Sequence, residues 1–135
     1  MKYTIFILLG ILFFACDEND IMPAYDKKGT VTSTVAVLSV SNEEPASGET
    51  ITVTLMYVNP TSDPLESVVL KAKIGSGDYT TLQTFDGQSS QMDVEIMEEV
   101  QYIAPAPGVE VTFDMVITSQ KEYPQIKRAS SEVGE

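Results

Sequence analysis

Histidine and tryptophan are both missing from this 135-residue chain, and cysteine occurs once. Without histidine there is no unperturbed side chain that titrates near neutral pH, no Ser–His triad and no histidine-based zinc site. A single cysteine forbids an internal disulfide, so the domain must rest on its core. Phosphate-binding glycine loops and EF-hand spacing are missing too. These absences predict a protein that is not an enzyme and needs no cofactor.

Positive charge is scarce. The chain has 8 Lys and Arg against 20 Asp and Glu, which gives a net charge of −12. Such a charge disfavours nucleic acid and anionic surfaces, and it favours solubility outside the cell. We therefore expect no nucleic-acid partner.

The many carboxylates do not form a catalytic pattern. A glycosidase needs two carboxyl groups at a set separation. Glu43 and Glu44 are adjacent, as are Glu98 and Glu99, so each pair would point to opposite faces of a strand. Solvated turn or edge charges are the favoured interpretation, and a small hydrolase with an unusual carboxylate site is the weakest hypothesis. A calcium ion bound between loops stays an open alternative, although no ligand spacing in the sequence supports it. Its candidate ligands are three aspartates in turns: Asp63, Asp78 and Asp86.

The N-terminus contains an apolar run over residues 4–15, preceded by Lys2. A basic start, an apolar middle and a small residue before the cut, here Ala15, are typical of a secretory signal. The run is shorter than the roughly 20 apolar residues of a spanning helix. We expect residues 1–15 to be removed, and an uncleaved signal anchor is the alternative.

The end of this run, residues 13–16, resembles a bacterial lipoprotein signal. Ala15 and Cys16 match its pattern, whereas Phe13 and Phe14 depart from the strictest form and fit the looser versions of some Gram-negative groups. The resemblance implies that Cys16 becomes the first mature residue and carries the lipid. Two or more acyl chains anchor a protein stably in a membrane.

Acidic residues follow at once: Asp17, Glu18 and Asp20. This patch resembles the surface-export signal of several Gram-negative groups, although an Asp directly after the cysteine also resembles the inner-membrane retention signal of enteric bacteria. The permissive Phe-Phe signal favours the first alternative. We expect an outer-membrane lipoprotein that faces the cell exterior, with residues 16–29 as an acidic tether that spans roughly 20 Å.

From Thr30 the apolar residues recur with period two, as in half-buried antiparallel strands. Turn-like Gly, Pro, Asn and Asp clusters separate six or seven strands over residues 30–128, and residues 129–135 are expected to fray. In residues 92–104, Glu98 interrupts the apolar face. That segment predicts either one long strand or two with a bulge near Glu98 and Glu99.

This pattern predicts an all-β, antiparallel immunoglobulin-like (Ig-like) sandwich, with a small barrel as the alternative. Residues 46–79, with their Asn59-Pro60 turn, resemble bacterial Ig-like domains. The cysteine pair and core tryptophan of antibody domains are missing, which favours a fibronectin-type or generic bacterial Ig-like variant.

The leading functional hypothesis is a non-catalytic Ig-like module that binds or presents a partner at the outer surface, such as an envelope protein. The alternative is a glycan-capture lipoprotein that serves polysaccharide uptake. Exposed tyrosines would serve the alternative, and three lie in or near turns and edges: Tyr25, Tyr79 and Tyr123. Tyr57 and Tyr102 share the parity of the core and are expected to be buried.

Overall fold

A computed structural model describes residues 28–31, 34–87 and 92–135. Cys16, the acidic residues Asp17, Glu18 and Asp20, and Tyr25 lie outside the described residues, so the predictions made for them stay predictions. Within the described ranges the regular structure is β, and none of it is a helix able to span a membrane.

Nine strands follow one another along the chain: β1 Lys28–Val31, β2 Val35–Val40, β3 Thr50–Val58, β4 Leu65–Ile74, β5 Thr80–Asp86, β6 Glu95–Ile103, β7 Glu110–Ser119, β8 Glu122–Tyr123 and β9 Gln125–Glu132. Seven of them form two antiparallel sheets, ordered β2-β3-β6 and β5-β4-β7-β9. The predicted Ig-like sandwich is therefore confirmed, and the barrel is excluded because the two sheets do not join into one. β5 lies beside β4, whereas the fourth strand of an antibody constant domain joins the other sheet.

The core lies between the two sheets and follows the alternation of the sequence. Every second residue of β3 and β7 points inward and is almost fully buried: Ile51, Val53, Leu55, Tyr57, Val111, Phe113, Met115 and Ile117. The ring of Tyr102 on β6 meets Phe113 edge-to-face, with centroids 5.1 Å apart. This contact joins the two sheets.

Segment 92–104 contains one uninterrupted strand, β6, because β3 and β6 pair without a register shift. Glu98 lies opposite Leu55 and is half-buried on the inward side. Since β6 is an edge strand, the inward position of Glu98 does not require a bulge. Burial, with a further contribution from the Glu98 charge, raises the pKa of Tyr57.

Two predicted boundaries are wrong. Residues 129–135 do not fray: β9 continues to Glu132, and Val133 is 1% exposed. The N–H of Val133 donates to the Val109 carbonyl at 3.0 Å, and the N–H of Gly134 donates to Pro45 at 2.9 Å. A polar sequence thus gains order from backbone pairing with distant segments. At the other boundary, residues 28 and 29 of the expected tether belong to β1, which pairs in parallel with β8.

The sandwich has two distinct ends. At the N-terminal end, β1 lies beside β8, close to the connection from β7 to β9. At the distal end, the N–H of Gly75 in the β4–β5 turn donates to Glu110 at the start of β7. The N–H of Gly48 likewise donates to Ala104, which places the β2–β3 loop at the distal end. The chain therefore enters the domain at one end and presents three loops at the other.

Candidate functional site

The outward side of the four-stranded sheet carries a concentration of polar and basic side chains. Phe113 and Met115 point into the core, so Asp114 between them points outward. The strand register places Lys71 of β4 and Arg128 of β9 on either side of Asp114. We define the basic face as Lys71, Lys73, Tyr79, Asp114 and Arg128.

Asp114 and Arg128 form a two-point contact. Nε of Arg128 donates to Oδ1 of Asp114 at 2.7 Å, and Nη2 donates to Oδ2 at 2.8 Å. Paired donors of this kind fix the plane of the guanidinium as well as its position. The aspartate is 5% exposed, whereas the arginine side chain is 60% exposed. A nearly buried carboxylate therefore holds an arginine that still faces solvent.

The electrostatics of the pair are mutual. Hydrogen bonds from Arg128 lower the pKa of Asp114 and outweigh the opposing effect of burial. The same contact raises the pKa of Arg128 further above its already high value. Both groups are charged at neutral pH, so Asp114 is poorly suited to accept a proton as a general base.

Tyr79 lies directly after the β4–β5 turn and is tied to the basic face by two contacts. Its hydroxyl accepts a hydrogen bond from Nη2 of Arg128 at 2.9 Å. Nζ of Lys73 lies over its ring, 5.2 Å from the centroid, in cation–π geometry. Burial, followed by the nearby Asp114 carboxylate, raises the pKa of Tyr79. The residue is still 37% exposed, so part of it remains open to a ligand.

Among the five residues of the basic face positive charge exceeds negative charge, while Glu110 and Glu132 lie on the same outward side of the sheet, beyond Thr112 and Ser130. Three of the chain's eight Lys and Arg residues lie here against one aspartate. Among the described residues, the Asp114–Arg128 contact is the one ion pair, so neither Lys71 nor Lys73 forms a salt bridge there. No described group accepts from Nη1 of Arg128, which leaves its two N–H donors available.

An open cleft of about 440 Å³ adjoins Arg128 where the free edge of β9 approaches β2. Its lining is Leu38, Ser39, Val40, Glu43, Arg128, Ala129 and Ser130. The size falls within the range of small-ligand clefts. Glu43 contributes a negative charge to the cleft, so an anion is better accommodated on the side of Lys73 and Tyr79.

The residues that the sequence singled out have varied surroundings. Glu43 and Glu44 are exposed turn residues, and Glu98 and Glu99 point to opposite faces, as predicted. In the part of the chain that the structure describes, no three His, Cys, Asp or Glu residues come close enough to hold a metal ion. This leaves the three candidate calcium ligands without a shared site: Asp63, Asp78 and Asp86.

The predictions for tyrosine were mostly right. Tyr57 is buried, Tyr102 is half-buried against the core, and both Tyr79 and Tyr123 are exposed, at 37% and 40%. Sequence reasoning missed Lys73, Asp114 and Arg128 as partners of Tyr79. The one available signal was the alternation of β7, which places Asp114 at an outward position between two apolar residues. That signal could not reveal which strands would lie next to β7.

No known protein family matches the sequence, and no curated protein sequence matches it. The solved structures that resemble part of this chain include two of low sequence identity. The sporulation control protein Spo0M from Bacillus subtilis has a TM-score of 0.59 and 12% identity, over 76% of this chain and 49% of Spo0M. A beta-glucosidase from Listeria innocua in complex with glucose has a TM-score of 0.49 and 13% identity, over 76% of this chain and 16% of the enzyme. The chain thus spans less than half the length of either structure. The likeness to Spo0M supports the fold alone.

Proposed function

We propose that this protein is a lipid-anchored, non-catalytic Ig-like module of the cell envelope that binds a partner at the outer surface. The fibronectin-type arrangement is the variant we favour, because β5 lies beside β4. The anchor is Cys16, and Asp17, Glu18 and Asp20 form the export signal. The partner is an envelope protein or an extracellular ligand that contacts the basic face.

One observation carries the binding role: Arg128 is held in a fixed orientation by a nearly buried aspartate while most of its side chain faces solvent. An ordered arginine loses less conformational entropy when it binds a ligand. Arginine and tyrosine are also the residues that most often dominate binding energy at interfaces.

The position of the basic face also supports this proposal. Lys73 and Tyr79 adjoin the β4–β5 turn at the distal end, whereas the chain enters the sandwich at the N-terminal end. A domain anchored through Cys16 would therefore present the basic face away from its attachment point.

The anchor is tested by Cys16→Ser in a Gram-negative host, with membrane fractionation of both variants. We expect the wild-type protein to pellet with outer membranes and the variant to lose this association. Protease treatment of intact cells then tests orientation. Full protection of the wild-type domain would refute surface display, and unchanged membrane association of Cys16→Ser would refute the lipid anchor.

The binding role is tested by pull-down from native membranes with tagged full-length protein. Lys73→Gln removes one charge from the basic face, and Lys121→Gln removes one from an exposed residue near β8. A partner retained by wild type and Lys121→Gln but lost with Lys73→Gln supports the proposal. Recovery of neither a protein nor a glycan with the wild type would count against a binding role.

Glycan capture is the second candidate function, and the exposed, doubly anchored Tyr79 favours it. An aromatic side chain presents a large contact surface of defined geometry. A glycan array should then show binding that Tyr79→Ala abolishes and that Tyr123→Ala leaves unchanged. A silent array would exclude this candidate.

A further inference from the structure

From the basic face we infer a ligand class: a polysaccharide whose sugars carry carboxylate groups, with a carboxylate bound between Arg128 and Lys73 and a sugar ring against Tyr79. This inference rests on the glycan-binding form of the proposed function and names its substrate class.

The charge of the ligand follows from the donors left open. Nη1 of Arg128 has two N–H groups with no acceptor among the described residues, and the Lys73 ammonium lies nearby over the Tyr79 ring. The charge of Lys73 also contributes to the low pKa of Asp114, which places it within electrostatic reach of the Asp114–Arg128 pair. Because Nε and Nη2 already donate to Asp114 and Tyr79, Arg128 can donate to a ligand carboxylate from Nη1 alone, beside the charge of Lys73.

A polymer is favoured over a small enclosed molecule by the shape of the surface. The basic face is the outside of a sheet, and the cleft beside Arg128 is open rather than enclosed. Small-molecule sites are concave and mostly apolar, which this surface is not. An extended chain can lie across the strands and contact several groups in succession.

The residues next to the basic face favour a sugar over an acidic peptide as the ligand. Thr112 and Ser130 lie in register with Lys73 on the same side of the sheet. Ser130 is exposed, whereas Thr112 is buried, so the Ser130 hydroxyl is the one that can donate to and accept from sugar hydroxyls. Peptide binding would instead use an apolar strip that lies beyond the row of Asp114 and Arg128: Val69, Val116 and Ile126.

The experiment measures binding of the full-length protein, in detergent, to immobilised polygalacturonate, neutral galactan and poly-L-glutamate. We expect binding to polygalacturonate alone. Lys73→Gln and Tyr79→Ala should each weaken it about tenfold or more. Lys121→Gln and Tyr123→Ala, which change a lysine and a tyrosine outside the basic face, should stay within about twofold of wild type. Salt of about 0.5 M should weaken binding, because it screens exposed charges.

Thermal unfolding of every variant separates loss of binding from loss of folding. Equal binding to galactan would overturn the role of the carboxylate, and tighter binding to poly-L-glutamate would point to an acidic peptide. No binding to polygalacturonate, with a partner still recovered from native membranes, would overturn this ligand class and leave the binding role intact. Loss of both would remove the proposed function as well.

Discussion

Asp114 on β7 accepts two hydrogen bonds from Arg128 on β9, at 2.7 and 2.8 Å. The two residues lie directly opposite each other in the strand register. The aspartate is nearly buried and the arginine is largely exposed. The sheet therefore uses one charged pair in two ways. The carboxylate of Asp114 is satisfied by Arg128, and Arg128 presents its remaining donors to solvent.

This pair predicts a specific acid sensitivity. Hydrogen bonds from Arg128 hold the pKa of Asp114 below that of an unfolded aspartate, which is about 3.9. A carboxylate with a lower pKa in the folded state adds stability above the unfolded pKa, and this stability is lost as the pH falls through the folded pKa. Below about pH 4, the free energy of unfolding should thus fall more steeply for wild type than for Asp114→Asn.

Urea denaturation of both proteins from about pH 7 to about pH 2 would measure this difference. Glu49 also has a lowered pKa, through hydrogen bonds from Asn42 and Ala46, but it is present in both proteins. Its contribution cancels in the comparison. Parallel curves over the whole range would show that the Asp114–Arg128 contact does not stabilise the fold.

The β3–β4 loop depends on the amide of Asn59, which is 6% exposed. Nδ2 donates to the Asp63 carbonyl at 2.9 Å, while Oδ1 accepts from the Thr61 N–H at 3.2 Å and the Thr61 hydroxyl at 3.0 Å. Asn59→Asp replaces the donor with an acceptor that faces a carbonyl oxygen. We expect a loss of about 1–3 kcal/mol in the free energy of unfolding.

Chemical denaturation gives this value, and Ser62→Ala in the same loop is the control. Ser62 is exposed, so its substitution should change stability by less than about 0.5 kcal/mol. If Asn59→Asp is as stable as Ser62→Ala, the amide does not organise the loop.

The sequence predicts the sandwich well because alternation determines which side of each strand is buried. The inward set of β3, from Ile51 to Tyr57, could be read directly from the pattern. Pairing between strands distant in the chain could not. The contacts that order Val133, and the register that joins Asp114 to Arg128, depend on which strands become neighbours. The basic face consists of such cross-strand pairs, which explains why Tyr79 was the one residue of this face that the sequence predicted as a candidate binding residue.

The two sheets should be energetically coupled through Tyr102 and Phe113, whose rings meet at 89°. Edge-to-face aromatic pairs contribute about 0.5–1.5 kcal/mol beyond the area they bury. A double-mutant cycle with Tyr102→Leu and Phe113→Leu should return a coupling energy in that range. The same cycle with Tyr102→Leu and Phe85→Leu is the comparison. A coupling near zero for the first pair would mean that its geometry adds nothing to packing.

Among the described glycines, Gly87 has the least space for a side chain. A Cβ placed there would overlap the carbonyl group of Leu65, and the Gly87 N–H donates to the Glu66 carbonyl at 3.2 Å. Gly87→Ala must therefore displace the start of β4 or the end of β5, and overpacking of this kind costs about 1–3 kcal/mol. Gly134→Ala is the matched control, since its Cβ would lie 3.8 Å from the Pro45 carbonyl oxygen, an ordinary contact. Thermal unfolding should show a lower Tm for Gly87→Ala and no lowering for Gly134→Ala. Equal Tm values would mean that the β4–β5 ends separate at no cost.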